Sequence, residues 1–330
     1  MNEFRFPNQV GPTVFGKVRN LYHIVKDGKE VILCEVTDRI SAFDVVLPPE
    51  IPFKGAVLNL IAAHFMKATE DIIPNCLLSV PSPYYSIWRE TTPFKIEVIV
   101  RAYNTGGIEK NYTSKGLPNP WGYDLRPDLK KNEKLDYLIC TPTTKALKGH
   151  DEDISFEEII KQGLATEEEL SYIVGKSYEL FQRGAEMADK LGLIIVDTKY
   201  EFGKKNGTIY LIDEVHTPDS SRYWYKDTYV ESFEKGEDPK ALSKEFVRQW
   251  LIEQGFNGNE GDTMPEFTDG FIQSISNRYI ELYQKMGLKV QEIDLGCNVG
   301  LAYSAELGDC KNCTKNPYEL VTLALEQIKL

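Results

Sequence analysis

Hydrophobic residues recur along this chain with two periods, and the change of period marks out its elements. Residues 28–37, GKEVILCEVT, are strand-prone and follow a Lys-Asp-Gly turn. From 57 to 70 the apolar positions fall at helical spacing. The stretch 73–93, IPNCLLSVPSPYYSIWRETTP, is strand-prone but interrupted, and FKIEVIVRAY at 94–103 reads as a further strand. LPNPWGYDLRPD at 117–128 carries three prolines and two turn dipeptides, which predicts a loop. A helix is expected from Glu167 to Leu191, with Leu170, Ile173, Leu180 and Phe181 among its apolar positions and Gly192 as its stop. Gly175 and Gly184 count against it, because glycine is a poor helix former. Next, LGLIIVDTKYEFG and TIYLIDEV flank KKNG, the mark of a hairpin around an Asn-Gly turn. KALSKEFVRQWLIEQ and TDGFIQSISNRYIELYQKMG return to helical spacing. This order predicts an α+β fold rather than a regular βαβ alternation.

Composition narrows the function. The 330 residues suffice for one large core or two lobes. A net charge of −12 argues against general nucleic-acid binding, which needs basic surface to displace counterions. No apolar run approaches the roughly 18 residues of a membrane span. The first residues, MNEFRFPNQVGPTVFGK, lack the basic and apolar regions of a secretory signal, so a cytoplasmic protein is expected. Cys34, Cys76 and Cys140 are isolated among apolar sequence and are expected to be buried thiols. Cys297, Cys310 and Cys313 lie close together, but no fourth ligand accompanies them, so no zinc site is expected.

Several segments carry candidate chemistry. In VDTKYEFG, alternation puts Asp197, Lys199 and Glu201 on one strand face, and the returning strand ends in Asp213-Glu214. Carboxylates gathered there suit Mg²⁺, which takes oxygen ligands and bridges phosphates; a solvated face with ordinary ion pairs is the competing reading. HTPDSSR, His216 to Arg222, reads by itself first as a turn and helix cap, and second as hydroxyls and a guanidinium offered to an anion. FGKVRNLY places Lys17 and Arg19 near one glycine in a strand pattern, without being a known phosphate-loop motif. TDRISAFD supplies Ser41 and Asp44, and TKALKGHDE supplies Lys145, His150 and Asp151.

Each segment alone is modest, but in order they resemble the successive signature segments of the SAICAR synthetase family (phosphoribosylaminoimidazole-succinocarboxamide synthases). FGKVRNLY, TDRISAFD, EVIVRAY, TKALKGHDE, VDTKYEFG and IDEVHTPDSSRYW carry the resemblance, from about residue 12 to about residue 225; LSKEFVRQWL is similar to the family's C-terminal helical region. The resemblance implies a two-lobed, ATP-grasp-like α+β fold with an antiparallel-sheet N-lobe, a larger C-lobe and ATP in the cleft. The boundary is expected near residue 95, giving lobes 1–95 and 96–330. It implies an ATP-dependent ligase that joins L-aspartate to an aminoimidazole carboxylate ribotide. Lys17, Arg19 and Lys145 would meet the triphosphate, with the adenine-facing hinge near Glu97. Glu201 and Asp213 would hold Mg²⁺, and Asp151 would help place the imidazole carboxylate through a second metal or its waters. Arg101 and Arg222, with Ser220 or Ser221, would bind the ribotide phosphate, Asp219 would belong to the substrate site, and Ser41 and Asp44 would line the imidazole pocket. Lys199 and Asp197 would lie at the reacting groups. One departure stands out: the family's R-x-x-x-x-G-S ends here in Gly106-Gly107, without the serine.

The hairpin poses a register problem. A two-residue Asn206-Gly207 turn sets Glu201 opposite Ile212 and sends Asp213 to the other face. Joint metal binding by Glu201 and Asp213 therefore predicts a three-residue loop, Asn206-Gly207-Thr208, or a bulge of equal effect.

Overall fold

The computed structural model describes residues 6, 8–145, 151–289 and 325. His150 and the cysteines Cys297, Cys310 and Cys313 lie outside the described residues. The chain divides into two compact units.

The first unit opens with β1 (Val14–Phe15), β2 (Arg19–Lys26), β3 (Lys29–Val36), β4 (Arg39–Ala42) and β5 (Val45–Glu50). The helix α1 (Lys54–Ala68) follows, then β6 (Leu77–Ser82) and β7 (Tyr85–Arg89). The five-stranded antiparallel sheet runs β1-β2-β3-β7-β6, and β4 and β5 form a separate hairpin. Asp27 and Gly28 make the β2–β3 turn at φ 50° and 73°, the two-residue geometry that favours Asp-Gly. Alternation buries Tyr22, Ile24, Val31, Leu33, Tyr85 and Ile87 as one cluster with Phe6. Cys34, Cys76 and Cys140 are buried free thiols, as expected.

The second unit holds β8 (Thr92–Pro93), β9 (Ile96–Tyr103), β10 (Lys134–Thr144), α2 (Phe156–Lys161), α3 (Glu167–Asp189), β11 (Leu193–Lys205), β12 (Thr208–Ile212), β13 (Ser221–Tyr225) and α4 (Lys226–Lys235). Its six-stranded sheet runs β10-β9-β11-β12, with β13 and β8 also paired to β11. The predicted helix is α3. A capping box starts it: Thr166 Oγ1 accepts from Glu169 N–H, and the Glu169 carboxylate accepts from Thr166 N–H. Gly184 has a packing reason, because a Cβ there would stand 2.4 Å from the ring of buried His216. The helix tolerates this poor helix former because the histidine occupies the space.

Two further helices follow, α5 (Glu245–Glu253) and α6 (Asp269–Lys285). The chain leaves the second unit after Phe246, and residues from Val247 group with the first unit. The division therefore differs from the expected 1–95 and 96–330. Phe65–Asn75, which includes the last turn of α1, already groups with the second unit; the later crossing between Glu90 and Thr91 lies near the expected boundary, and the C-terminal helical region returns to the first unit. Ser276 on α6 donates to Pro52 O at 2.7 Å, and the Lys54 ammonium lies 5.6 Å from the Tyr279 ring. Contacts of this length in sequence are invisible to local pattern.

Candidate active site

One face of the β9–β11 ribbon gathers Glu97, Arg101, Asp197, Lys199 and Glu201. Antiparallel pairing sets Asp197 opposite Arg101 and Lys199 opposite Ile99. Alternation then places Asp197, Lys199 and Glu201 beside Arg101 and Glu97.

At one end, two guanidiniums share a carboxylate. Arg101 Nη1 donates to Asp197 Oδ2 at 2.8 Å, and its Nε donates to Thr141 Oγ1 at 2.9 Å. Arg222 Nη1 donates to the same Asp197 oxygen, and its Nε donates to Glu245 Oε2 at 3.2 Å. The bulge between Ile195 and Asp197 makes this meeting possible: Ile195 pairs with Tyr223, one residue of β11 is skipped, and Asp197 then pairs with Arg222. Gly106 is required beside it. Its φ is 64°, and a Cβ there would lie 2.9 Å from Arg222 Nη1. Burial disfavours the charge on both arginines; it lowers the Arg101 pKa, whereas Asp197 and Glu245 carry that of Arg222 above its usual value. The Asp219 side chain is buried close by in sequence, 3.6 Å from Lys244 Nζ.

The other end is acidic. Lys199 Nζ donates to Glu97 Oε1 at 2.7 Å and to Glu201 Oε1 at 3.3 Å, and Lys145 Nζ donates to Glu201 Oε2. Burial, and then the nearby Asp213 charge, push the Glu201 carboxyl up to about 7, against the pull of Lys199 and Lys145. Burial opposes the Lys199 charge, but Glu201, Glu97 and Asp213 hold its pKa well above the ordinary lysine value.

The expected three-residue hairpin loop is not what forms. Asn206 and Gly207 make a two-residue turn at φ 50° and 82°, Lys205 pairs with Thr208, and Glu201 pairs with Ile212. Asp213 still acts on Glu201 and Lys199 because the strand ends one residue earlier. Asp213 takes a left-handed conformation, φ 63°, so the period-two alternation no longer governs its side chain. A single residue of backbone replaces the expected change of register.

Other expectations need correction. Ser221 does not face the arginines: next to Arg222 on β13, its side chain points to the opposite side of the sheet. There its Oγ lies 3.0 Å from Thr198 Oγ1, which in turn stands 3.4 Å from His216 Nδ1. Ser220 is held within its own turn, its Oγ accepting from Thr217 N–H at 3.1 Å. Glu97 is buried, and its carboxylate accepts from Lys199 Nζ. Asp151 is exposed, and among the described residues no three acids, histidines or cysteines gather as a metal-ligand group. In the first unit, Lys17 Nζ pairs with Asp44, at the tip of the β4–β5 turn. Arg19 stacks at 5.9 Å on Trp88, and Ser41 is buried on β4.

Four residues near the arginine pair were not anticipated. Thr141 and Glu245 hold the guanidiniums as described. Tyr112, on a short π-helix at Ile108–Thr113, donates to Asp153 Oδ2 at 2.5 Å, and the Asp153 charge supports Arg101. Asp153 stands in the acidic run 151–153, where nothing local separates it from Asp151. His216 is fully buried, and burial pushes its pKa down to about 4. Its Nε2 lies 3.2 Å from Leu180 O. A carbonyl can only accept, so Nε2 carries the proton of the neutral ring and Nδ1 is left as an acceptor.

A two-unit α+β protein with a buried arginine pair and an acid–lysine cluster on one sheet face fits an enzyme acting on phosphorylated ligands. The family model for SAICAR synthetase matches residues 13–265. The phosphoribosylaminoimidazole-succinocarboxamide synthase of Bacteroides thetaiotaomicron is 53% identical over 285 residues, covering 86% of this chain and 89% of the relative. That of Cytophaga hutchinsonii is 52% identical, with 86% and 89% covered. Among solved structures, SAICAR synthase from Saccharomyces cerevisiae, complexed with SAICAR, gives a TM-score of 0.70 at 30% identity, covering 83% of this chain and 94% of that one. The chain belongs to the SAICAR synthetase family.

Proposed function

We propose that the chain condenses 5-amino-1-(5-phosphoribosyl)imidazole-4-carboxylate with L-aspartate, using ATP and releasing ADP and phosphate. Family membership supports the reaction, and the polarity of the β9–β11 face is the observation that carries its assignment to residues. A carboxylate does not acylate an amine in water, because its leaving group would be oxide. Transfer of the ATP γ-phosphoryl group to the imidazole carboxylate gives an acyl phosphate. The aspartate amine attacks its carbonyl, the C–N bond forms, and inorganic phosphate departs with the oxygen. Such a site needs chiefly positioning and charge neutralisation.

Arg101 and Arg222 bind the ribotide phosphate in this reading. Asp197 orients both, leaving the Nη2 groups for the anion. Ser220 and Asp219 belong to the same end, with Ser220 offering backbone and hydroxyl from its turn. Lys199 and Lys145 meet the reacting phosphates, and Lys17 and Arg19 the rest of the triphosphate. Ser41 and Asp44 line the imidazole side.

Glu201 and Asp213 fit a magnesium ion. They are hard oxygen donors, and a cation would relieve what raises the Glu201 carboxyl, burial first and then the Asp213 charge. When bound, the ion would neutralise charge on the transferring phosphoryl group. Among the described residues no helix is long and apolar enough to cross a membrane, and ATP as co-substrate points to the cytoplasm.

The test is an ADP-release assay coupled to NADH oxidation, with the aminoimidazole carboxylate ribotide in the presence and absence of L-aspartate. Sustained turnover is expected only with both. Rapid ADP release with a sugar or inositol phosphate, and none with this pair, would instead identify a small-molecule kinase.

A further inference from the structure

The turn that carries Lys17 is gripped from one side by the start of TDRISAFD. Arg39 Nη2 donates to Gly16 O at 3.1 Å, and Arg39 Nε donates to Lys17 O at 3.2 Å. The next carbonyl, Val18 O, accepts from Thr37 N–H at 3.1 Å and from Thr37 Oγ1 at 2.8 Å. Three successive carbonyls therefore point toward residues 37–39. Among the described residues there is no cis peptide, and in a trans peptide the N–H points opposite to the C=O it follows. The N–H groups of Lys17 and Val18 consequently face away from Arg39, both to one side. Two successive amides aimed alike form a concave donor for an anion.

Arg39 is itself held in place. Its Nη2 also donates to Asn20 Oδ1 at 2.9 Å, and Asn20 Nδ2 donates to Glu35 Oε2 at 2.7 Å. The Glu35 carboxylate accepts from Tyr22 and Tyr85 hydroxyls as well, each at 2.7 Å. A planar guanidinium anchored in this way fixes two peptide planes beside Gly16, whose own N–H donates to Arg19 O at 2.7 Å.

We propose that Arg39 is a positioning residue for the nucleotide. By holding the carbonyls of Gly16 and Lys17, it aims two backbone N–H groups at one phosphate group of ATP, at the turn that also carries the Lys17 side chain. This rests on the reading that Lys17 contacts the triphosphate.

The test compares Arg39→Gln, Arg39→Lys and Lys17→Met in the same steady-state assay, with each substrate varied in turn. Lysine keeps the charge but cannot bridge two carbonyls in a fork, so both Arg39 variants are expected to raise the KM for ATP about tenfold. The KM values for the ribotide and for aspartate should stay unchanged, with kcat reduced far less than KM is raised. In the Lys17→Met background, Arg39→Gln should add less than its single effect, because the two act on one contact. Should Arg39→Gln fail to fold, Arg39→Lys carries the comparison. If Lys17→Met raises the ATP KM and neither Arg39 variant does, the proposal is overturned and the reading of Lys17 stands. Equal rises in all three KM values would also overturn it, since they would mean general loosening. An unchanged ATP KM in Lys17→Met would reject the underlying reading, and the proposal with it.

Discussion

Asp197 and Glu201 lie on the same face of β11, about 13 Å apart at roughly 3.3 Å per residue, yet their surroundings behave differently. Around Asp197 the partners are guanidiniums, which keep their charge at any working pH. Around Glu201 the partners are two lysines and two further acids, and burial with Asp213 brings its carboxyl to about 7. One end is thus a fixed anion anchor, and the other a cluster whose charge depends on pH and on an incoming cation. A regular strand face alone does not produce this polarity. It arises from what the neighbouring strands bring to each end: β13, paired across the β11 bulge, brings Arg222 to the first, and Asp213, just past β12, comes to the second.

Breaking the acidic end should have the largest effect. Glu201→Gln and Asp213→Asn are each expected to lower turnover on the order of a hundredfold or more, as loss of a charge-stabilising group commonly does. The melting temperature should hold, since Glu201→Gln removes a repelled buried charge. Near-normal turnover in either variant would detach that residue from the reaction.

Breaking the arginine end should show in a different parameter. Arg222→Met is expected to raise the KM for the ribotide on the order of tenfold or more while the ATP KM stays near its original value. A rise confined to ATP would reverse the assignment of the two ends.

A pH series sharpens the contrast. As pH falls from 8 toward 6, the Glu201 carboxyl takes up a proton and can no longer hold a cation. The kcat/KM for ATP should fall with it, and Glu201→Gln should flatten that dependence. Stability runs the other way. The folded Glu201 binds a proton between the unfolded value of 4.5 and about 7, where the unfolded chain does not, so its contribution is lost as pH rises through that window. Melting of the ligand-free chain at pH 5 and pH 8, with and without Glu201→Gln, measures that difference.

The smallest effects concern side chains that face away or face open space. Ser221→Ala should change the ribotide KM less than about twofold and cost on the order of 1 kcal/mol of stability, the usual worth of one buried hydrogen bond. Gly107→Ser should fold normally, because Gly107 has φ −62° and a Cβ there meets nothing within 4 Å. A large rise in ribotide KM for this variant would show that the added hydroxyl obstructs the phosphate.

By itself the sequence determined what is local. Strand alternation put Asp197, Lys199 and Glu201 on one face, the Asn-Gly pair made the hairpin, and helical spacing marked α3 and α6 close to their observed ends. The ordered motifs also determined the family. Tertiary structure decided whatever depends on a partner strand or on one dihedral angle. Asp213 comes near Glu201 through a left-handed residue, not through the register that alternation demanded. Arg222 meets Asp197 through a bulge, and the same alternation turns Ser221 to the other side, against Thr198. Gly184, which reads as a flaw in α3, is the space that buried His216 fills. The physical reason is common to all of them. Side-chain direction within a strand follows from its own backbone period, but which groups meet across strands is set by pairing, bulges and packing between residues far apart in the chain.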